Sequence, residues 1–255
     1  MAADASTDAL GVLDRMTAIL DAFDEDDHGL GLSELATRAG LPKSTVSRLV
    51  ATLVRQRYLE RDGRRIHLGL RLFELGQLAE EPRELRIAAL PVMAGLRNAT
   101  GENVHLAIRD GRQMVCLAAM RGRTGAPLPV RTGGRFPVHA TALGKAVLAH
   151  ADPEDVDAVL GPAPTASASA TVVDPTQIRR QLASIREGRP AVELEESTPG
   201  VWAVASPVFA PDGAVAAAIG LSGAADAFDL DRAAEAVDAA ALSLSRRIAQ
   251  TARGG

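Results

Sequence analysis

Five side chains close together in the chain carry the chemistry of nucleic-acid recognition: Lys43, Ser44, Thr45, Ser47 and Arg48. Arginine forms bidentate pairs with guanine in the major groove, serine and threonine bond bases or phosphates, and lysine neutralises phosphate. These groups act together only if a scaffold holds them on one side. Val46, Leu49, Val50 and Leu53 supply it, recurring at the spacing of one helix face, with Pro42 suited to the first helical position. Upstream, Leu32, Leu35, Ala36 and Ala39 fall at i, i+3, i+4 and i+7, Ser33 is placed to cap the helix start, and Gly40 ends it. Two short helices joined by a glycine turn make a helix-turn-helix. With the apolar face pinned inward, the five polar residues point outward near the N-terminal end of the second helix, where such helices meet base edges and phosphates.

Tyr58–Glu60 and Arg65–Leu68 read as two short strands around an Asp62-Gly63 turn, the wing of a winged helix. The wing brings Arg61, Arg64 and Arg65 into the candidate DNA-binding set. Between Leu35 and Leu70 eight basic residues face two acidic ones, a charge of +6, which leaves −10 on the remainder of a chain whose net charge is −4. Basicity confined to one segment is the electrostatic footprint of nucleic-acid binding. The competing reading is a surface helical hairpin with solvated arginines, or a winged helix used for protein contacts; helix pattern, wing and charge segregation together weigh against it.

The 255 residues exceed the usual size of one domain, so two are expected, and 47% hydrophobic content is ample for their cores. A single cysteine, Cys116, excludes an internal disulfide framework and fits a reducing compartment. The acidic N-terminus lacks the regions of a secretory signal, and no apolar run reaches the roughly 18 residues of a membrane span, so a cytoplasmic protein with no membrane partner is expected. No pair among His28, His67, His105, His139 and His150 sits at metal-ligand spacing with a nearby cysteine, and neither a metal nor a cofactor is expected.

Along the chain, apolar positions from Thr7 through Phe23 predict a first helix, followed by an acidic connector, Asp24–Gly29. Leu70–Ala79 reads as a linker helix, and Glu80-Glu81-Pro82 breaks it. The division is therefore a winged helix-turn-helix at 7–69, a linker helix at 70–82 and a second domain at 83–255. That domain opens with a helix containing Pro91 and capped near Gly101. Strands follow at 103–108 and 113–120, a Gly/Arg/Pro-rich loop at 121–135, a helix at 140–149 and another from Asp152-Pro153. A Pro/Ala/Ser loop at 161–170 leads to the capping-box residues Asp174-Pro175-Thr176-Gln177, then strands at 201–209 and 214–221, and a last helix over about 229–252. The fold class is α+β, with an antiparallel sheet in the second domain.

The helix-turn-helix LSELATRAGLPKSTVSRLVATL, the wing ending in HLG, the signature FPVHATALGKAVLA and the closing pattern ELEESTPGVWAVASPVFAPDGAVAAAIGLSG together resemble the IclR family of bacterial transcription regulators, in order from about Leu10 to Leu244. The resemblance implies a GAF/PAS-like C-terminal domain that binds a small organic effector, and homodimers or dimers of dimers on palindromic double-stranded operators. Both repressors and activators occur in the family. For the effector pocket it implies Leu128, Phe136, Ala142, Leu143, Glu193, Ala203, Gly220 and Ser222. Gly188-Arg189-Pro190 departs from the family pattern and leaves Glu195 as an alternative to Glu193. Family pockets for small carboxylates offer backbone N–H groups and side-chain hydroxyls and thiols; Leu143, Ala203 and Gly220 stand where that pattern can be smaller or more polar. This points to a larger acid, aromatic or amino-acid-derived, over a glyoxylate- or pyruvate-like one.

Other residues carry blander readings. Lys145, in Leu143-Gly144-Lys145-Ala146, lacks the paired glycines and following Ser/Thr of a phosphate loop and reads as structural. Cys116 reads as core, Trp202 as lining either a pocket or an interface, and His139 as a structural histidine that can also reach an effector. Glu193, Glu195 and Glu196 read as a solvated strand edge. The alternative function is an enzyme on a GAF-like domain with a vestigial DNA-binding module. No nucleophile–base pair is placed by spacing, which leaves no catalytic candidates.

Overall fold

The computed structural model describes residues 11–24, 27–124, 128–161 and 163–251, which fall into two compact units, Met1–Glu80 and Glu81–Gly255. The predicted start of the first helix at Thr7 and end of the last at Ala252 lie outside the described residues, as do parts of the acidic connector and of the loops at 121–135 and 161–170.

In the first unit, α1 (Val12–Asp21) precedes β1 (Leu30–Gly31), α2 (Leu32–Arg38), α3 (Lys43–Arg55), the strands β2 (Leu59–Asp62) and β3 (Arg65–Leu68), and α4 (Leu70–Gly76). Ile19, Leu35, Val46, Val50, Leu59 and Ile66 are fully buried in one cluster. Burying each such side chain contributes about 1.5–3 kcal/mol, which is what holds two short helices that would be marginal alone. Leu49, expected on the buried face of α3, is half-buried and packs at its margin. Two boundaries differ from the sequence expectation. Pro42 caps α3 from outside, and Ser33 lies within α2, because Leu30–Gly31 is held extended against Ile66 and Arg65 and the helix starts directly after it. β1 itself was not expected; two residues give no periodicity to detect.

The second unit starts with α5 (Glu80–Thr100), whose first turn contains Pro82 and whose interior contains Pro91. Pro82 therefore opens a helix here, since a first-turn proline removes no helical hydrogen bond. β4 (Asn103–Asp110) and β5 (Gln113–Met120) form the expected hairpin, and β6 (Arg135–Pro137) adds an edge. Then come α6 (Ala142–Leu148), α7 (Pro153–Leu160), α8 (Pro175–Arg186), β7 (Ala191–Leu194), β8 (Val201–Phe209), β9 (Val215–Ala224) and α9 (Leu230–Thr251). The sheet runs β6-β5-β4-β9-β8-β7, antiparallel throughout.

Strand alternation sends side chains to two different layers. Val104, Leu106, Ala217, Ile219 and Leu221 meet Ala89 and Met93 of α5 and Val237 and Leu244 of α9. Ala107, Cys116, Ala205 and Ala218 meet α6, α7 and α8 through Leu143, Val147, Leu160, Ile178 and Leu182 on the opposite face. α6 is buried on every side, and Gly144 lets it approach so closely that a Cβ there would lie 2.0 Å from the Val138 carbonyl oxygen. No helix among the described residues is long and apolar enough to cross a membrane.

Candidate DNA interface and effector cavity

α3 presents Lys43, Ser44, Ser47 and Arg48 as exposed side chains, with Thr45 half-buried beside them, while Val46, Val50 and Leu53 anchor its other face. The wing folds back so that Lys43, Arg61 and Arg64 line one hollow of about 550 Å³ together with Gly31, Ser33 and Glu34. Lys43, Arg48, Arg61 and Arg64 form no ion pair among the described residues, so their charge is available to a polyanion. Arg65 is differently employed: its guanidinium donates to the Gly29 carbonyl at 2.7 Å and ties the wing to the strand before α2. Of the other arginines in the basic segment, Arg38 is paired with Asp27 at 2.7 Å and Glu34 at 2.9 Å, and Arg57 with Glu74 at 3.3 Å. Arg38 also holds the half-buried Asp27 carboxyl below its usual range. The surface charge offered to DNA is thus smaller than the segment's +6 and concentrated on α3 and the wing tip.

In the second unit, Phe136, Ala142, Leu143, Glu193, Ala203, Gly220 and Ser222 converge on one cavity of about 30 Å³ between α6 and the sheet. Leu128, on the loop preceding β6, is half-buried and is not part of its wall. Register explains the convergence: Glu193 of β7 pairs with Ala203 of β8, Ala203 with Ser222 of β9, and Ser222 with Asn103 of β4, so one row crosses four strands. Gly220 sits in the adjacent row, where an added Cβ would meet the Val204 carbonyl at 2.8 Å and the Leu143 side chain at 3.2 Å. The bulk of Leu143 thus fills the space that a side chain at position 220 would take.

Three polar wall residues were not among those expected to line the pocket: His105, Thr141 and Ser197. His105 Nε2 lies 2.9 Å from Ser222 Oγ, Nδ1 is buried without a partner among the described residues, and burial pushes the imidazole down to about 4. It is neutral near pH 7. Thr141 caps α6, its hydroxyl oxygen accepting the Gly144 N–H at 3.2 Å. Ser197 donates its backbone N–H to Glu193 at 3.0 Å and its hydroxyl to the same oxygen. Period-two alternation along β4 would have put His105 on the sheet face that carries Ala107; Ser197 lies in an irregular loop that leaves no such trace.

The acidic segment corrects two expectations. Glu193 and Glu196 are 4% and 5% exposed, so they are no solvated edge. Lys145 is 1% exposed, and its ammonium lies 2.5 Å from the Glu196 carboxylate and 3.2 Å from the Val192 carbonyl. A buried carboxylate without a partner is costly, and the lysine arriving from α6 removes that cost for Glu196. Glu193 instead accepts from Ser197 and, at 3.4 Å, from the Ala142 N–H; burial raises its carboxyl above the usual range and the neighbouring Glu196 adds to the shift, while the Ser197 bonds oppose it. Glu195 points elsewhere, accepting the Gly200 N–H at 2.7 Å, and Glu193 is the carboxylate of the wall.

His139 also lies outside the wall and bonds the Thr165 carbonyl at 3.2 Å. Trp202 packs on the α5/α9 face. The Cys116 thiol is buried and pushed up to about 11, which leaves it protonated and inert. A wider cleft of about 1110 Å³, bordered by Leu85, Ile108, His150, Val215 and the Arg109–Asp155 pair, contains none of the expected site residues. No group of three or more His, Cys, Asp or Glu among the described residues is placed to hold a metal ion.

A winged helix with an uncompensated basic recognition surface, in one chain with an α+β domain that encloses a mixed polar and apolar cavity, defines a ligand-controlled DNA-binding regulator. Comparison with known proteins gives the family. Residues 12–63 match the IclR helix-turn-helix domain and residues 78–246 the bacterial transcriptional regulator IclR C-terminal domain. The transcriptional regulator XynR of Escherichia coli K12 is 33% identical over 242 residues, 92% of this chain and 96% of its own. The transcriptional repressor IclR of the same organism is 31% identical over 234 residues, covering 88% and 83%. Among solved structures, an IclR homolog from Microbacterium hydrocarbonoxydans complexed with 4-hydroxybenzoate superposes with a TM-score of 0.85 at 29% identity, covering 93% of this chain and 99% of that one. The chain belongs to the IclR family and is a DNA-binding transcriptional regulator with a GAF/PAS-like ligand-binding domain.

Proposed function

We propose that Lys43, Ser44, Thr45, Ser47 and Arg48 read the major groove of a palindromic operator while Arg61 and Arg64 grip the flanking backbone. Arg65 holds the wing in place for them. A single winged helix reads one half-site, so a palindrome calls for a homodimer, or a dimer of dimers, with recognition helices roughly 34 Å apart. The protein works in the cytoplasm beside its DNA, as a repressor and without catalytic turnover.

The effector is a small organic acid held between α6 and the sheet by Phe136, Ala142, Leu143, Glu193, Ala203, Gly220 and Ser222, with Leu128 on the loop that borders the entrance. The observation that carries this reading is the four-strand row that runs from Glu193 through Ala203 and Ser222 to Asn103, with His105 beside it. A cavity of about 30 Å³ holds about one water. An aromatic body the size of 4-hydroxybenzoate, the ligand of the Microbacterium relative, therefore enters only as Phe136, Leu143 and Val130 shift. That displacement is the differential contact by which a ligand favours one state over another.

The test is the affinity of the purified chain for a duplex selected from random DNA, measured with and without each of a panel of aromatic and aliphatic monocarboxylates. Leu143→Trp, which fills the cavity, serves as the control. An acid that changes operator affinity in the wild type and not in the control supports the reading; an equal response in both places the effector elsewhere.

A further inference from the structure

The wall of the small cavity carries one carboxylate and no cation. Among its lining residues Glu193 alone can bear full charge, and every partner it has is a neutral donor: the Ser197 N–H and hydroxyl, and the Ala142 N–H. The titratable groups facing it from the surrounding elements do not compensate it. α6 brings Lys145, whose ammonium is held by Glu196 at 2.5 Å. The loop after β7 brings Glu196 itself and Glu195, the latter turned to the Gly200 N–H. β4 brings neutral His105, and β8 and β9 bring only Val201, Ala203, Val204, Gly220, Leu221 and Ser222. An acid effector seated here brings its carboxylate against the buried Glu193 carboxyl with no cation on the wall to separate them. Two carboxylates confined to one small site do not both stay charged; one proton is retained between them.

Resting on the effector site assigned above, we propose that this cavity binds an organic monocarboxylate together with one proton, taken up from solvent and shared between the effector's carboxylate and Glu193. The site then selects a single acid group on a compact body. A second carboxylate would need a second proton, and a neutral amide binds with Glu193 ionised and no proton taken up. Burial raises the Glu193 carboxyl by itself, so the proton costs less to hold there.

The experiment is isothermal titration of the full chain with benzoate and with benzamide, at several pH values and in two buffers of different ionisation enthalpy. The variant is Glu193→Gln, whose amide oxygen can still accept from the Ser197 N–H and hydroxyl, while its amide nitrogen replaces the oxygen that faces the Ala142 N–H. The expected result for the wild type is uptake of close to one proton with benzoate and none with benzamide. Benzoate affinity falls by up to about tenfold per pH unit once the pH is high enough to ionise Glu193 in the free protein. In Glu193→Gln benzoate binding is independent of pH. Benzoate binding without proton uptake overturns the proposal and leaves the site assignment standing. Uptake that persists in Glu193→Gln assigns the proton to another group, His105 first, and also overturns it. Equal benzoate binding by Leu143→Trp sinks the site assignment itself, and no binding of either probe to wild type or Glu193→Gln overturns the proposal for this ligand class.

Discussion

Replacing Lys145 with methionine isolates the energetic role of the pair that fastens α6 to the loop after β7. The lysine and glutamate side chains are 1% and 7% exposed, the ammonium has two acceptors at 2.5 and 3.2 Å, and Glu196 Oε2 has no partner among the described residues. Methionine keeps most of the volume and deletes the charge, so Glu196 is left buried with no counter-ion. Breaking such a pair from one side costs about 3–5 kcal/mol. For a unit of 150–250 residues each kcal/mol moves the melting temperature by about 2–4 °C, so Lys145→Met lowers the transition of the C-terminal unit by about 6–20 °C. Urea denaturation of the same variant shows the loss as a lower midpoint with an unchanged slope. The double variant Lys145→Met/Glu196→Leu recovers most of the loss, because the desolvation of both charges nearly offsets their attraction. A loss below about 1 kcal/mol, the value of an exposed pair, refutes the reasoning, as does a double variant no more stable than the single.

Arg48→Ala weakens binding to the selected operator by about 1–3 kcal/mol, roughly fivefold to over a hundredfold, in anisotropy titrations, with unchanged circular dichroism. Arg38→Ala, which breaks the pairs with Asp27 and Glu34, leaves operator affinity unchanged and lowers the melting temperature of the N-terminal unit instead. His105 is held neutral in the fold, its proton affinity depressed to about 4 from 6.5. Its contribution is therefore complete above pH 6.5 and is lost as pH falls toward 4, where the unfolded chain takes up the proton more readily. That loss amounts to about 3 kcal/mol, and His105→Gln flattens the pH dependence of the melting temperature in this window. Glu193 has the opposite bias: its raised proton affinity stabilises the fold at low pH and is lost as pH rises past its folded value. Glu193→Gln accordingly melts higher than wild type at pH 8 and closer to it at pH 5. Leu143→Ala costs about 2–5 kcal/mol and opens space over Gly220, so bulkier aromatic acids that fail to stabilise the wild type shift the melting of this variant.

What could be read from the sequence followed from periodicity. Val46, Val50 and Leu53 betrayed the buried face of α3 and hence the exposed one, and β-rich runs bounded by turn residues marked β4, β5, β8 and β9. Elements too short to have a period escaped: β1 has two residues and β6 three. In the cavity, the resemblance named Glu193, Ala203 and Ser222, which register brings into one row, while His105 went unrecognised because it was weighed only against metal spacing and the effector reading went to His139. The pairing of Lys145 with Glu196 spans 51 positions and could not be seen in composition or local pattern. A charged residue on an apolar helix looks the same in sequence whether it reaches water or a buried partner. The segment's charge of +6 overstated the DNA-facing surface for the same reason, since Arg38, Arg57 and Arg65 each found a partner within the unit.

Selection of bound duplexes from a random DNA pool, at two salt concentrations and with Arg48→Ala in parallel, tests most directly whether α3 and the wing read sequence. A palindromic consensus that survives raised salt, and that in Arg48→Ala loses its preference at one position of each half-site, is the predicted result. Binding that is blind to sequence and merely salt-sensitive, or a consensus unchanged at every position in Arg48→Ala, would contradict the account.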